Sequence, residues 1–472
     1  MCYGSVMHSL VLTGDDWRAL ENTNFLFERN ISYGRWMRSL ITSVSSQNIF
    51  APSFTTPLLL IVITRFSVYT AGILSISNIN KFLFCAIFVS CPMWIEPFYY
   101  SIQHLTMAIA MILSMCSIHF FLKSNNNILF LIPSILLEVL TISCYQTFGF
   151  FLPMIIILLS INKILSGDLN SLKQTLVRLT ILLLSSGIIY LAIHYVLNNF
   201  IFDFHKPKGQ YAVSVSLLNV DCFKNTINTI FAFFTRGDIA VINLSVLLIF
   251  FSLVIKYFEI VKNIKENHKS NYLISILLVS VLLCGFFIMP WSLGFVKAKL
   301  TFRYNSLAPL CLVFAYALSS YDNARFVKYR NAIVFFILLQ FMYLNSSACF
   351  NKIMNNDRDI NLAMNIGNQI ISNPNFNKES TYNLILNGKI ITPFKLRKRH
   401  AVIDSRINSS LWEFIRPSLF QGLFIKTGFP IYINKVKISR TNRKSKKTPN
   451  EIIKIEQDNI FINLNKYNSN KS

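Results

Sequence analysis

Charge is what this chain lacks most. Only 14% of its 472 residues are Asp, Glu, Lys or Arg, against about 25% in soluble domains. Hydrophobic residues make up 53% and aromatic residues 14%, and the mean hydropathy is +0.47. A water-soluble globular domain is therefore excluded, and the chain reads as a polytopic membrane protein. The nine cysteines form no CxxC and no Cys/His cluster, which removes any support for a zinc site or disulfide framework and leaves them as small buried hydrophobes. Zinc-finger, RRM-type and helix-turn-helix patterns are missing, so nucleic acid is not an expected partner. Met1–Leu12 has no basic n-region and no small-residue cleavage site, unlike a signal peptide. At a dozen residues it is too short to cross about 30 Å of hydrocarbon. It reads as the second half of a first membrane helix whose beginning is missing from the chain. No internal repeat is visible.

Apolar runs broken by short polar segments fill the chain as far as Phe350. Ten candidate spans are expected near Ser53–Ile76, Phe82–Pro97, Ile102–Leu122, Ile128–Cys144, Phe148–Leu165, Thr175–Leu197, Ile239–Val261, Tyr272–Met289, Ser306–Ser319 and Asn331–Phe350, with the N-terminal half-helix as an eleventh. Several fall short of the usual ~20 residues, which fits tilted or broken helices inside a bundle. Tyr33–Ile49 mixes Trp36, Met37, Leu40 and Ile41 with Arg35 and Arg38, a pattern suited to an amphipathic helix lying in the interface. Lys81, Lys123, Lys163, Lys173, Arg178, the run Lys256 to Lys269, Arg325, Lys328 and Arg330 all fall on one side if the first polar loop is outside. The opposite short breaks Glu96–Ser101 and Tyr145–Thr147 carry no Lys or Arg. That is the positive-inside asymmetry.

The fold class expected is thus an all-α membrane bundle of about 10–11 helices, residues 1–350, followed by a soluble α+β region, residues 351–472, on the outer side. Loops 13–52 and 198–238 lie outside too. The last region holds 21 of the 45 basic residues and 8 of the 21 acids, a balance suited to anionic headgroups or an anionic polymer. Asp357–Ile371 has helical periodicity, and Thr381–Leu386 and Phe429–Lys437 alternate like strands. The stretch from Ser439 on is Lys/Asn/Ser-rich and expected to fray.

Polar investment concentrates in Thr13–Arg38, where Asp15 and Asp16 are adjacent and Arg18, Glu21, Glu28, Arg29, Arg35 and Arg38 follow. Two readings are open for the acids. They cap a helix over Trp17–Phe27, or one accepts a proton from an attacking hydroxyl while the other holds a metal, a sugar hydroxyl or Arg18. Arg35 with Trp36 reads as an interfacial anchor or a phosphate contact. Glu96, beside Tyr99 and Tyr100, and the pair Tyr145–Gln146 sit at outer helix junctions and suit sugar stacking and hydroxyl bonding. Lys297, Lys299 and Arg303 run against the charge asymmetry, so they either snorkel to headgroups or clamp a phosphate. His104 reads as a satisfied core histidine. Arg65 and Glu138 fall within spans, where charges are costly and are usually paired or line a cavity.

TGDDWRALEN followed by YGRW, then WIEPFYYS and CYQ, resemble the GtrII-type serotype-converting O-antigen glucosyltransferases, which are inner-membrane proteins of GT-C architecture. The resemblance covers the membrane region from the acidic loop to about Phe350. It implies a glucose donor carried on undecaprenyl phosphate, made by a partner glucosyltransferase and turned over by a small flippase. It also implies an O-antigen sugar as acceptor, a periplasmic active site, and a base role for Asp15 or Asp16. No cofactor is certain on this reading; a divalent metal is compatible with it. A flippase of polyprenyl-linked sugars and an O-antigen polymerase are the alternatives. A flippase would put its decisive polar groups near the bilayer midplane rather than in outer loops.

Overall fold

The computed structural model describes residues 3, 23–44, 52–201, 224, 227–228, 240–267, 272–291, 307–319, 324–387, 429, 431–439 and 453–463. The chain divides into two compact units, residues 1–8 with 26–347 and residues 9–25 with 348–472.

Thirteen described α-helices account for most of the described residues. They are α1 (Thr23–Ser32), α2 (Trp36–Val44), α3 (Pro52–Ile73), α4 (Asn78–Ser90), α5 (Ile95–Tyr99), α6 (His104–Lys123), α7 (Leu131–Cys144), α8 (Phe151–Leu165), α9 (Leu169–Val196), α10 (Ala240–Asn267), α11 (Tyr272–Ile288), α12 (Leu310–Ser319) and α13 (Ala324–Ile371). Among the described residues, five helical segments are long and apolar enough to cross a membrane: Ser53–Ile73, Ser101–Lys123, Gln146–Leu165, Leu169–Ile201 and Arg330–Ile371. Ile128–Cys144, Tyr272–Ile288 and Leu310–Ser319 are shorter apolar helices.

Packing in the first unit is inside out relative to a soluble protein. Along α9, Val177, Ile181, Leu184, Ile188, Leu191 and Tyr195 are exposed while Ser186 is buried. Small polar residues instead line the helix seams. The Ser117 hydroxyl donates to the Ser134 carbonyl at 2.9 Å and the Ser134 hydroxyl donates back to the Ser117 carbonyl at 2.8 Å, drawing α6 and α7 together. Close approach through small side chains is how helices associate where lipid offers no hydrophobic drive. A fully buried aromatic cluster, Phe66, Phe84, Phe88, Trp94, Phe148 and Phe151, fills the centre. Its closest pair is Phe66 and Phe151, with ring centroids 4.9 Å apart.

One expected span is broken. Phe82–Pro97 reads as a single apolar run, but α4 stops at Ser90 and the chain re-forms as a 3-10 turn, Pro92–Trp94, and then α5. Pro92 has no N–H to give the Phe88 carbonyl, and the Trp94 indole takes that place with an N–H···O bond of 2.8 Å. The neighbouring carbonyls are also served. Tyr3 Oη donates within 3.3 Å of the Val89 and Cys91 carbonyls, and Asn345 Nδ2 donates to Ser90 O at 2.7 Å. Backbone groups loosed within the apolar layer must find partners inside the protein, and here they do. His104 is settled the same way: Nδ1 lies 3.1 Å from Thr56 Oγ1 and Nε2 lies 3.1 Å from the Pro97 carbonyl. It is a core histidine, as its sequence setting indicates.

The expected interfacial helix also differs. α2 covers only Trp36–Val44, with Arg38 4% and Ser39 1% exposed while Leu40 and Val44 face outward. Its polar side is turned into the protein, against α7 and α6. In α13 the expected span and the expected helix at Asp357–Ile371 are one continuous element.

In the second unit, β1 (Thr381–Asn387) runs parallel to both β2 (Tyr432–Ser439) and β4 (Asn459–Asn463), and β3 (Ile453–Glu456) pairs antiparallel with β4, giving the order β2-β1-β4-β3. Tyr382, Leu384, Ile453, Ile455, Ile460 and Ile462 are buried on the period of two expected for a one-sided sheet. Gln457 turns the β3–β4 hairpin with φ +50°. Leu362, Ile366 and Ile370 form the buried stripe of the helix end.

Candidate functional site

Three of the residues singled out from the sequence, Arg35, Tyr145 and Gln146, come together although about 110 positions separate the first from the others. The junction starts where α1 ends. Gly34 N donates to Ile31 O at 2.9 Å and Arg35 N donates to Asn30 O at 2.7 Å, the paired bonds of a Schellman stop. That motif needs a left-handed residue, and Gly34 supplies it with φ +76°. The turn reverses the chain within three residues and sets Arg35 directly before α2.

Across from it, α7 ends at Cys144 and the chain folds into a 3-10 turn, Gln146–Phe150, before α8. Tyr145, in extended conformation at the junction, lies under Arg35, whose guanidinium carbon is 5.0 Å from the ring centroid. A cation over an aromatic face at a half-buried position such as this one is held by about 1 kcal/mol. Gln146 is the clasp. Its Nε2 donates to the Tyr33 carbonyl at 3.0 Å and to Tyr190 Oη at 2.9 Å, so the α1–α2 turn, the α7–α8 turn and α9 meet at one amide. Tyr190 stacks in turn on His194, with ring centroids 6.2 Å apart, and His194 bonds Asn198 at 2.9 Å.

The chemistry of this junction is one of unspent donors. Asn30 Nδ2, Arg35 Nε and Trp36 Nε1 are all buried and none has a hydrogen-bond acceptor. Leaving a buried N–H unmatched costs about 1–3 kcal/mol, so three of them within seven residues ask for an acceptor-rich ligand. Phosphate and sugar oxygens have that character, and an arginine fork suits phosphate in particular. Among the described residues no three His, Cys, Asp or Glu side chains gather as metal ligands.

Asp15, Asp16, Arg18, Glu21, Lys297, Lys299 and Arg303 lie outside the described residues. Glu96 falls in α5. Tyr190, Asn30 and Gly34 were not singled out from the sequence as site residues. The signal available for Tyr190 is the spacing of Tyr190 and His194, one turn apart in a mostly apolar span.

A family model described as "Glucosyl transferase GtrII" matches residues 11–307. The match begins before Asp15 and runs past Arg303. No curated protein and no solved structure matches the chain.

Proposed function

Because the chain belongs to the GtrII glucosyl transferase family, we propose that it transfers glucose from undecaprenyl-phosphate glucose to a sugar of an O-antigen repeat unit. On this reading it does so at the periplasmic face of the inner membrane. The family assignment makes it a glucosyltransferase, and the five apolar helices suit a membrane enzyme with a lipid-borne substrate. The observation that carries the choice of donor is the set of buried, unmatched N–H groups around Arg35, which suits the oxygens of a glycosyl phosphate.

In the proposed reaction an acceptor hydroxyl loses its proton to Asp15 or Asp16, and its oxygen attacks the anomeric carbon of the donor glucose. The bond from that carbon to the phosphate oxygen breaks, and its electron pair leaves with undecaprenyl phosphate. Arg35 takes the growing negative charge of the leaving group, with Lys297, Lys299 and Arg303 as further phosphate contacts. Arg18, Glu21, Glu96, Tyr145 and Gln146 orient the two sugars. The donor would come from a separate donor-making glucosyltransferase and a small flippase, and the basic second unit would lie against headgroups or the acceptor polymer.

Expression of the chain with a donor-making partner, followed by mass spectrometry of the O-antigen, tests this. One added hexose per repeat is expected. Asp15→Asn or Asp16→Asn is expected to lower transfer by about 10²–10⁴-fold, the usual worth of general base catalysis, at unchanged protein level in the membrane. An unmodified repeat from the parent chain, or full transfer by both variants, counts against the proposal.

A further inference from the structure

Along the second half of α9, polar side chains recur every fourth residue. Ser186, Tyr190, His194 and Asn198 follow one another at successive turns. At 1.5 Å per residue the last three span about 12 Å of helix. The row is turned away from lipid. Ser186 is 1% exposed and the other three are half-buried, whereas Ile188, Leu191 and Tyr195, set between them, are 60–66% exposed. Polar groups that an apolar helix turns inward characteristically line a substrate path or a cavity. Burial falls from Ser186 to Asn198, so the row opens toward the C-terminal end of the helix. There the chain makes a single π-helical turn, Leu197–Ile201, a form frequent at functional sites.

The row begins at the Arg35 junction. Tyr190 Oη accepts from Gln146 Nε2 at 2.9 Å and lies where a Cβ on Gly34 would stand, next to Arg35 in the chain. The Tyr190 ring lies almost flat on the His194 imidazole, with an angle of 10° between the planes. Asn198 Nδ2 lies 2.9 Å from His194 Nδ1 and 3.2 Å from Nε2. Among the described residues, neither His194 nor Asn198 has another side-chain partner. The Asn198 amide oxygen is thus left for a ligand, and so is whichever ring nitrogen the amide does not take. Phenol, imidazole and amide each give and accept hydrogen bonds and carry no fixed charge. That character matches sugar hydroxyls and not a second phosphate.

We propose that His194 and Asn198, with the imidazole held in place by Tyr190, bind the glucose ring of the lipid-borne donor. This rests on the donor proposed above. Its phosphate takes Arg35, and the sugar bonded to that phosphate is carried onto the row that starts at Tyr190. An acceptor sugar has no bond to the phosphate and nothing that ties it to this end of the row.

The test compares two lipids on the full chain in detergent: a short-chain polyprenyl phosphate, and the same lipid carrying glucose on its phosphate. Equilibrium binding of each is measured by isothermal titration calorimetry. His194→Ala and Asn198→Ala are each expected to weaken the glucosylated lipid about 3–10-fold, the worth of one neutral hydrogen bond, and the double variant more than tenfold. All three should bind the bare phosphate within twofold of the parent, whereas Arg35→Ala should weaken both lipids. His194→Gln, which keeps a donor and an acceptor, should recover part of the loss. Equal weakening of both lipids means that the row only supports the fold, and an unchanged affinity for the glucosylated lipid means that the sugar lies elsewhere; either overturns the subsite. The transfer reading fails separately. A parent that shows these sugar-dependent losses but adds no hexose to the repeat overturns the proposed reaction and leaves the subsite standing. Full transfer by the double variant does the reverse.

Discussion

Replacing Arg35 with Ala is expected to lower glucose transfer by about 10²–10³-fold, the loss that follows removal of one preorganised donor aimed at developing charge, about 3–4 kcal/mol. The fold should hold, because Arg35 is a point of contact and not of core volume: its guanidinium lies over Tyr145 and its Nε has no protein acceptor to lose. Arg35→Lys is expected to restore little. An ammonium keeps the charge but loses the planar fork and the stacking on the Tyr145 ring. Tyr145→Phe keeps the aromatic face and should stay within a few-fold of the parent, whereas Tyr145→Ala should fall about tenfold. Rates of glucose transfer from a polyprenyl-phosphate donor in membranes, normalised to protein by immunoblot, provide the measurement. Transfer by Arg35→Ala within threefold of the parent would remove the phosphate role assigned to this junction.

How much of this was legible beforehand follows from how local each feature is. The long apolar runs give the helices nearly residue for residue where they stand alone, as in Ser53–Ile73 and Ile128–Cys144. Lipid selects for composition, and composition is local information. The strands β1 and β2 were visible for a similar reason, through alternation over seven or eight residues. The break after Ser90 was not. Pro92 alone marks a possible stop, but whether an apolar layer tolerates one depends on Trp94, Tyr3 and Asn345 reaching the freed carbonyls, and the last of these is 255 positions from Ser90. The site divides along the same line. Arg35, Tyr145 and Gln146 stood out because polar or amphipathic groups at helix junctions are conspicuous against apolar runs. Tyr190 did not, because its place is fixed by Gln146 from another helix. Glu138 was conspicuous as a charge within a span.

Gly34→Ala is expected to be the most damaging small substitution at the junction, by about 2–4 kcal/mol, from two sources. The left-handed φ of +76° costs a residue with a Cβ about 1 kcal/mol or more, and the new methyl would run into Tyr190 Oη and stand 3.5 Å from Gln146 Nε2. Overpacking of this kind costs about 1–3 kcal/mol. The clash falls on the hydroxyl that accepts from Gln146, so the clasp joining the α1–α2 turn to the α7–α8 turn opens as the turn shifts. A Tm lower by several degrees and a loss of transfer comparable to that of Arg35→Ala should appear together. A double-mutant cycle separates the two causes. Tyr190→Phe alone gives up one hydrogen bond, about 0.6–1.7 kcal/mol in a membrane bundle. In the Gly34→Ala background it also removes the atom that the methyl strikes. The double variant should therefore be more stable than the sum of the singles by about 1 kcal/mol or more. Strict additivity would mean that the glycine is required only for its backbone angle and that Tyr190 does not press on the turn. In that case Gln146 would be held by the Tyr33 carbonyl, and Tyr190→Phe should leave transfer unchanged.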